Sequence, residues 1–438
     1  MKRTNTVLLT PTEVQEQELY ALADASAQLW NMANYDRRQA YFTGSRVPSY
    51  ENQWRIFKDS EPFKRIGTCK GQALLLKLRE AWGSFFALKR LQRNGNLPPH
   101  IKRTSPPKYM KDPNTRRRKA EAIYVRNDGY RQQDDTLILS KSLHVRFKAG
   151  ELWLGKQGRL ELHYDRLREK WYGRIPIRVK WPRKGKPHQP TLKRASIDLG
   201  ICNLTTCVVE GGDKAYVYSG RAVLSDWRYW TKRIASCESE LKKTNGHNSS
   251  KQLSKLYRTR RRRLNHAVKA MLRDLYDRLE THGVTELIVG NLKHIRDNAN
   301  HGKVGNQKLH NFWPFAQIRK RIIELGEEYS TRVRFKSERG TSKRCSLCGE
   351  KHKNGRIRRG LYKCAETGQT MNADVNGAYN ILYGRKVAAV SGSRPMAWPM
   401  LLKWNSQEWQ VSGMRKHESP DFSRGESQRR SLYVTARR

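Results

Sequence analysis

The chain has 438 residues, and its 88 Lys and Arg outnumber its 40 Asp and Glu to give a net charge of +48. Such an excess repels itself unless a polyanion is bound, which indicates nucleic acid and favours an extensive, permanent partner such as RNA. We expect no membrane partner and no secretion, because no apolar run approaches the roughly 18 residues of a membrane span and the N-terminus lacks the apolar core of a signal peptide. Seven cysteines, four of them scattered, indicate a reducing compartment. We therefore expect a cytoplasmic, nucleoid-associated protein.

The first ninety residues predict one strand followed by helices. The apolar run Val7-Leu8-Leu9 predicts the strand, and Thr10-Pro11-Thr12-Glu13 is typical of a helix start with Thr10 as the N-cap. Apolar residues then recur at helical spacing as far as residue 93. We expect a first strand over 1–10 and a helical module over 11–93.

Two arginines of this helical module are candidate nucleic-acid contacts. Arg37 and Arg38 lie close in sequence to Trp30 and Tyr35. Aromatic rings beside guanidinium groups can stack on bases and bind the backbone. The alternative interpretation places Trp30 in the core and the arginines on a solvated helix face.

Residues 94–119 interrupt the helical pattern with five prolines and contain the run Arg116-Arg117-Arg118. This composition predicts a basic linker or a loop that follows phosphates. Farther along the chain, apolar residues alternate with polar ones in several short segments, as at Leu160, Leu162 and Tyr164. Alternation with period two predicts strands, and we expect an antiparallel β-barrel over 120–190 that the strand near residue 7 completes.

The second half of the chain has the pattern of an α/β fold. A strand that ends near Asp198 is followed by its predicted hairpin partner, Leu204–Val209. Further elements are predicted as a charged helical region over about 222–282, a strand at Thr285–Gly290, a helix over 312–328 and a strand at Thr331–Ser337. The end of the chain, from 386 to 438, predicts a basic tail that is partly disordered.

Three cysteines have the spacing of a zinc ribbon. Cys345-x-x-Cys348-Gly is a knuckle whose paired thiolates supply two tetrahedral ligands, and Cys364 begins the second knuckle. We therefore expect Zn²⁺ as a cofactor of residues 344–369.

The fourth zinc ligand is left open by the sequence. The second knuckle has Thr367 where a cysteine is expected. His352 or Glu366 could substitute for it, or the ribbon could fold with weak metal binding or none.

Two aspartates are candidates for a second metal site. Asp198 lies on a predicted strand followed by Gly200, and Asp374 lies at a predicted helix start just after the ribbon. Carboxylates from a strand end and a helix start can converge on Mg²⁺, which prefers oxygen ligands. Two Mg²⁺ ions held by three carboxylates would orient a water and stabilise the leaving oxygen of a phosphodiester.

Three segments together resemble the RuvC-type nuclease of the TnpB proteins. They are Ile197-Asp198-Leu-Gly-Ile, Thr341-Ser-Lys-x-Cys-x-x-Cys-Gly and Asn372-Ala-Asp374-Val-Asn-Gly-Ala-Tyr-Asn-Ile. TnpB proteins are transposon-encoded, RNA-guided DNA nucleases related to type V CRISPR effectors. The resemblance covers about residues 195–382. It implies a guide RNA, a short motif read on double-stranded target DNA, and cleavage of both strands by one site.

The resemblance also implies a domain organisation. We expect a multidomain α+β protein with a β-barrel wedge domain, an inserted helical recognition module and an RNase H-like, RuvC-type α/β nuclease that carries a zinc-ribbon insertion. The expected boundaries are 1–10 for the first wedge strand, 11–93 for the recognition module, 94–119 for the linker, 120–190 for the wedge barrel, 191–343 and 370–385 for the nuclease, 344–369 for the ribbon and 386–438 for the tail.

One position departs from most of this family. A glutamate usually ends the strand at which this chain has Gly290, and glycine cannot bind a metal. Glu286 lies about 13 Å away at strand rise, and Asp297 lies beyond a further segment. Glu338 ends the neighbouring predicted strand, and a family branch shared with the eukaryotic Fanzor proteins is known for such a relocated glutamate. The resemblance thus implies that the ligands of two Mg²⁺ ions, for which Mn²⁺ can substitute, are Asp198, Glu338 and Asp374.

A basic run in the long helical region is a further candidate nucleic-acid interface. Its members are Tyr257, Arg258, Arg260, Arg261, Arg262 and Arg263. A solvated helix face is the alternative, and a sequence-blind contact with the backbone of a guide–target duplex is the interpretation we favour.

The sequence therefore predicts an RNA-guided, Mg²⁺-dependent DNA endonuclease. Gly290 and the missing fourth cysteine leave open a nuclease-dead, RNA-guided repressor or transposition regulator. A DNA-joining transposase with an RNase H-like fold and a compact type V CRISPR effector are the remaining alternatives.

Overall fold

The structure is a computed structural model that describes residues 1–98, 100–112, 117–179, 192–212, 214–245, 249–292, 300, 302–338, 340–358, 360–384 and 399–414. The chain divides into two compact units, Met1–Trp181 and Pro182–Arg438. None of the helices in these described ranges is both long and apolar enough to span a membrane. Arg116, Asp297 and residues 386–398 and 415–438 of the predicted tail lie outside the described residues.

The first unit consists of one curled sheet and four helices. Its elements are β1 (Lys2–Leu9), α1 (Glu13–Phe42), α2 (Tyr50–Phe57), α3 (Glu61–Ile66), α4 (Thr68–Arg93), β2 (Ala122–Val125), β3 (Arg131–Gln133), β4 (Thr136–Ile138), β5 (His144–Lys148), β6 (Lys156–Gln157), β7 (Leu160–Asp165) and β8 (Lys170–Arg178). The sheet order is β2-β7-β8-β1-β5-β4-β3, with β6 paired to β8. The predicted first strand thus lies in the middle of the sheet, and the four helices are inserted between β1 and β2.

The sheet curls without closing. A Cβ built on Gly173 of β8 would lie 2.8 Å from Val7 and 3.4 Å from Leu137 of β4, three strands along the sheet. Glycine at this crowded position allows the sheet to bend over its apolar face. Among the described residues β2 and β3 are the two edges and do not pair with each other. The expected barrel is therefore an open, barrel-like sheet.

The expected linker at 94–119 is in part a folded strap on α1. Trp30 donates to the carbonyl of Lys108 at 3.1 Å, and Asn34 and Arg38 each donate to the carbonyl of Pro107 at 3.0 Å. A proline-rich segment has carbonyls that no ladder uses, so side chains of α1 can pair with them. The described residues between α4 and β2 form no named helix or strand, and the sequence did not reveal that side chains of α1 anchor this loop.

The predicted helix start is displaced by two residues. Thr12, and not Thr10, is the N-cap, and it forms a capping box with Gln15. Thr10 instead donates through its hydroxyl to the carbonyl of Arg146 on β5. The strand pairing of β1 therefore extends the chain past Thr10 before the helix begins.

The second unit contains a seven-stranded mixed sheet and a small three-stranded sheet. Its elements are β9 (Arg194–Leu199), β10 (Asn203–Val209), β11 (Ala215–Ser219), α5 (Arg221–Asn245), α6 (Lys251–Thr281), β12 (Glu286–Asn291), α7 (Gly302–Asn306), a π-helical turn (Gln307–Phe312), α8 (Phe315–Glu328), β13 (Arg332–Ser337), β14 (Arg356–Arg358), β15 (Leu361–Lys363), β16 (Thr370–Asn372), α9 (Ala373–Tyr383), β17 (Met400–Trp404) and β18 (Trp409–Met414). The predicted 222–282 region is thus two helices.

The large sheet has the order β13-β12-β9-β10-β11-β17-β18 and is covered on both faces. Alternate residues of β9 and β12, such as Ile197 and Val289, pack in one cluster with α6 and α8. Ile288 on the opposite face packs with Val375 and Ala378 of α9. Because β9, β12 and β13 are mutually parallel, their carboxyl ends lie at one edge beside α9.

Part of the expected tail belongs to this sheet. β17 pairs in parallel with β11, and β18 returns as its hairpin partner. Leu402 and Trp409 are buried, and the Trp409 indole donates to the carbonyl of Ala267 at 3.0 Å. The tail prediction is wrong for residues 400–414, since two short strands in a basic context give too weak a periodic signal.

Candidate active site

Three carboxylates line one cavity of about 840 Å³ at the carboxyl edge of the large sheet. They belong to Asp198 of β9, Glu338 directly after β13, and Asp374 in the first turn of α9. Gly290 pairs with Lys336 on β13, so Glu338, two residues farther, lies on the same sheet face. Strand register and the α9 start therefore bring together three side chains that are far apart in the sequence.

Two glycines make room for two of these carboxylates. A Cβ at Gly290 would lie 1.7 Å from Glu338 Oε1, and a Cβ at Gly377 would lie 2.6 Å from Asp198 Oδ2. Gly377 is one helical turn after Asp374, so its lack of a side chain lets α9 approach β9 closely. The glycine of the Asn-Ala-Asp-Val-Asn-Gly segment is a packing requirement of the cavity.

Burial and mutual repulsion dominate the electrostatics of the cavity. Burial, followed by the charges of Glu338 and Asp374, raises the pKa of Asp198 well above its usual value. Burial also raises the pKa of Glu338 to about 7. The buried Glu338 Oε1 has no hydrogen-bond partner among the described residues. A bound cation would stabilise the ionised form of such buried carboxyl groups.

Asp374 is held by partners that the sequence did not single out. Asn203 donates to its Oδ2 at 2.7 Å, and Arg356 donates to its Oδ1 at 3.1 Å. The Asn372 side chain caps α9 by accepting from the backbone N–H of Asp374 at 2.9 Å. Asn203 is the first residue of β10, and Arg356 begins β14 in the basic insert of the ribbon. Only the fold reveals them, because it brings both side chains into the cavity beside Asp374.

The asparagines of α9 fix the first cysteine knuckle to the cavity wall. Asn376 donates to the carbonyl of Arg344 and accepts from the N–H of Ser346, each at 2.8 Å. Asn380 donates to the carbonyls of Thr341 and Arg344 at 2.8 Å. The turn after Glu338 and the knuckle are therefore anchored to the helix that carries Asp374.

The donor set fits Mg²⁺. All three acids offer hard oxygen ligands, and Glu338 Oε1 is buried without a hydrogen-bond partner among the described residues. Burial raises the pKa of Asp198 and of Glu338, and neighbouring carboxylates add to the rise for Asp198, so a bound divalent cation would stabilise the ionised forms of these two groups. We assign no coordination geometry to the site.

The cysteine cluster contains His352. The ligand atoms of Cys345, Cys348, His352 and Cys364 all lie within 4.8 Å of one another. Glu366 does not belong to this group, and the Thr367 N–H lies 3.4 Å from Cys364 Sγ as a donor. Three thiolates and one imidazole at this separation form a set compatible with tetrahedral zinc.

The basic candidates of the first unit differ in their surroundings. Arg37 is buried and donates to the Gln53 side chain, and burial lowers its pKa to about 10. Arg118 donates to both carboxylate oxygens of Asp24, at 2.9 and 2.8 Å. Arg38 stacks over Tyr109, with 5.2 Å to the ring centroid. Arg37 is thus corrected to a core residue, while Arg117 is exposed.

The basic candidates of the second unit line a groove of about 680 Å³. We call this the α6 groove, and it is bounded by Tyr257, Arg258, Arg260, Arg261, Asn265, residues 310–317 and Trp227. The Arg260 guanidinium lies over the rings of Trp227 and Tyr257, at 5.1 and 5.2 Å. Arg262 is exposed outside the groove, and Arg263 pairs with Asp226.

Comparison with known proteins identifies the class of fold to which this chain belongs. A family model described as a probable transposase matches residues 175–296, and a model of the Cas12f1-like TNB domain matches residues 315–381. The fold is similar to that of the Cas12f1 chain in the Cas12f1–sgRNA–target DNA complex, with a TM-score of 0.54 at 15% identity over 85% of this chain and 83% of that one. The mini-RNA-guided endonuclease CRISPR-Cas_phi3 gives a TM-score of 0.50 at 11% identity, over 87% and 92%. The chain therefore has a multidomain α/β fold of the kind found in type V effectors.

A protein that is similar in sequence identifies the family of this chain. TnpB-like protein ORF457 of Acidianus two-tailed virus is 34% identical over 407 residues, which cover 87% of this chain and 86% of the relative. The chain belongs to the TnpB-like family.

Proposed function

We propose that this protein is an RNA-guided DNA endonuclease that cleaves target DNA beside a short flanking motif. The observation that carries the proposal is the position of the Glu338 carboxylate, which lies where Gly290 leaves space and lines one cavity with Asp198 and Asp374. A glutamate displaced to the neighbouring strand thereby completes a three-carboxylate set. The chain is then a member of the branch with a relocated glutamate.

The two units take the expected domain roles in this proposal. The curled sheet of the first unit is the wedge domain, and α1 to α4 are the recognition module. The seven-stranded sheet with α6, α8 and α9 is the RuvC-type nuclease, which carries the ribbon of β14 to β16. One of the similar structures is a complex of Cas12f1 with sgRNA and target DNA, and the other is of a mini-RNA-guided endonuclease. We extend both partners to this chain because its charge of +48 requires an extensive polyanion.

Asp198, Glu338 and Asp374 would hold Mg²⁺. Bound there, the ions would supply Lewis-acid stabilisation of the phosphodiester and a water of lowered pKa. Asn203 orients the Asp374 carboxylate from the side opposite Arg356. Arg356 places a guanidinium beside the carboxylates, where it can bind a scissile phosphate that enters the cavity. The anchored turn after Glu338 keeps that carboxylate on the α9 face of the sheet.

Guide pairing would choose the target sequence, and the protein would read shape and the flanking motif. The α6 groove offers guanidinium groups and aromatic rings to a nucleic-acid backbone without a base-specific arrangement of donors. We propose that its arginines contact the guide–target duplex. Zn²⁺ bound at the cysteine cluster would stabilise the ribbon.

The test is purification with co-bound RNA followed by cleavage of a plasmid that matches the guide. We expect cleavage with Mg²⁺ or Mn²⁺ and none with EDTA. Asp198→Ala and Glu338→Gln should each lower the rate by more than the roughly 10–100-fold that outer-shell metal partners cost. Asp59→Ala, an exposed carboxylate of the first unit, is the matched control and should cleave normally.

The alternative outcomes select other functions. Guided binding without cleavage in either metal would identify a nuclease-dead repressor or transposition regulator. Cleavage by Glu338→Gln at the normal rate would remove Glu338 from the site.

A further inference from the structure

We propose that His352 is the fourth ligand of the ribbon metal, and that the metal thereby holds Arg356 against Asp374. The first half concerns metal binding alone. The second half rests on the proposed nuclease function. Together they make the ribbon a positioning device for the active site as well as a structural module.

The geometry of His352 supports the first half. Its Nε2 lies 3.1 Å from Cys348 Sγ and 3.6 Å from Cys364 Sγ, and all four candidate ligand atoms lie within 4.8 Å of one another. A tetrahedral zinc with bonds of roughly 2.0 Å to nitrogen and 2.3 Å to sulfur separates its ligands by roughly 3.5–3.8 Å. The cluster therefore needs only small shifts to close around an ion.

Thr367 has a different task. It stands where a second Cys-x-x-Cys would place its last cysteine, but its N–H points at Cys364 Sγ at 3.4 Å. Its hydroxyl oxygen accepts from the N–H of Gln369 at 3.4 Å. A donor to a bound thiolate stabilises the ligand's charge without joining the metal. Thr367 thus supports a ligand through its backbone N–H, and the imidazole of His352 is the group whose ligand atom lies with the three thiolates.

The change of ligand also changes which segment the metal holds. A fourth cysteine at position 367 would lie after β15, whereas His352 lies four residues before Arg356. β14, which begins at Arg356, has only three residues and pairs only with β15 among the described strands. We call residues 352–356 the arm. A metal bound by His352 fixes the start of the arm, and Arg356 at its end donates to Asp374 Oδ1 at 3.1 Å.

Protein contacts alone also restrain the arm. A Cβ at Gly355 would lie 2.5 Å from the Tyr362 ring, and Tyr362 donates to the carbonyl of Lys343 at 3.1 Å. If these contacts suffice, the metal stabilises the ribbon without controlling Arg356. Either the metal holds Arg356 in place, or protein contacts alone do so. The two possibilities predict different rates of cleavage when the metal stays bound but His352 no longer binds it.

Cobalt substitution of the RNA-bound protein tests the first half. We expect the absorption of three thiolates and one nitrogen for the wild type, and a thiolate charge-transfer band increased in the ratio four to three for His352→Cys. His352→Ala should lose roughly 10–100-fold or more in Co²⁺ affinity. An unchanged spectrum and affinity in His352→Ala would overturn the assignment.

Two variants that keep four ligands test the second half. His352→Cys retains a ligand on the arm, while His352→Ala combined with Thr367→Cys moves it back to the second knuckle. With cobalt spectra confirming metal in both, we expect single-turnover cleavage to survive in the first and to fall in the second as far as in Arg356→Ala, with target affinity unchanged. Ile357→Ala, half exposed on the same strand, is the control and should cleave normally.

The cobalt spectra test His352 as a ligand, and the cleavage rates test whether the metal positions Arg356. Equal cleavage by the two four-ligand variants would show that the arm is held without the metal. Loss of cleavage in His352→Cys with metal bound would also contradict the proposal. Thr367→Cys could fail to restore cobalt binding in the double variant. His352→Cys is then compared with His352→Ala, and only His352→Cys should retain cleavage if the metal positions Arg356. If the wild type itself does not cleave, the proposed function fails while the cobalt spectra still test the ligand.

Discussion

The Glu338 carboxylate occupies the space that a side chain at position 290 would need. A Cβ on Gly290 would lie 1.7 Å from Glu338 Oε1, closer than any non-bonded contact permits. The two positions are on neighbouring parallel strands, with Gly290 opposite Lys336 and Glu338 two residues beyond it. A glycine on one strand and a glutamate on the next are therefore two parts of one arrangement, and a side chain at position 290 requires the Glu338 carboxylate to move.

Gly290→Ala should displace the Glu338 carboxylate and lower cleavage by about tenfold or more, because small misplacements of catalytic groups are costly. The measurement is single-turnover cleavage at saturating Mg²⁺. Gly83→Ala is the control, since a Cβ at that helical glycine meets nothing within 4 Å. It should cleave normally and be more stable by about 0.5–1 kcal/mol.

Moving the glutamate back offers a stricter form of this experiment. Gly290→Glu combined with Glu338→Ala restores one carboxylate to the cavity from β12 and removes the clash. We expect it to cleave faster than Glu338→Ala. Normal cleavage by Gly290→Ala alone would show that Glu338 does not act from this position.

Stability without metal should fall as the pH rises through the titration of Glu338. Its pKa is raised from 4.5 to about 7 in the folded protein, so the folded state binds the proton more tightly than the unfolded state between these values. The difference in Tm between Glu338→Gln and the wild type, measured in EDTA, should therefore grow from pH 5 to pH 8. Mg²⁺ should reduce it by binding the ionised carboxylate.

Glu80 provides a control of opposite sign for this titration. A hydrogen bond from Arg159 lowers the pKa of Glu80 below its usual value, so its contribution is lost as the pH falls. Glu80→Gln should therefore be relatively less stable at pH 8 than at low pH. A Glu338→Gln difference in Tm that is the same at pH 5 and pH 8 would contradict the burial of this carboxyl group.

Neighbouring arginines of α6 should differ in their effect on nucleic-acid binding. Arg261 lines the α6 groove, whereas Arg262 is exposed outside it. Arg261→Ala should weaken target binding and reduce the slope of log K against log salt by about 1, as expected for one lost phosphate contact. Arg262→Ala should change the slope less. Equal slopes for the two variants would mean that net charge matters and the groove does not.

Arg37 should contribute to stability and leave RNA binding unaffected. Its buried guanidinium donates to Gln53, which in turn donates to the carbonyl of Ala33 at 2.7 Å. Arg37→Ala should cost about 1–3 kcal/mol of unfolding free energy because it leaves a buried acceptor unpaired. Arg46→Ala, exposed in the same unit, should be neutral in thermal melts. Weaker RNA binding by folded Arg37→Ala at unchanged stability would restore the original interpretation.

Local patterns predicted many elements of the fold. The strands that carry Asp198 and Gly290, the helix over 68–93 and the cysteine knuckle all have strong short-range signals of periodicity or spacing. The anchoring of the strap on α1, the hairpin of β17 and β18 and the burial of Arg37 were missed. In each case a distant partner determines the outcome, such as α1 for the strap or the core beneath β17 for the hairpin.

The sequence by itself determined the family resemblance and the identities of the candidate metal ligands, and it indicated a polyanionic partner, because these depend on residue types, spacing and net charge. The tertiary structure decided which of the candidates meet. Strand register brings Glu338 to the gap at Gly290, and the fold of the ribbon brings His352 to the three cysteines and Arg356 to Asp374. Such contacts join residues across different elements, so only packing and register define them.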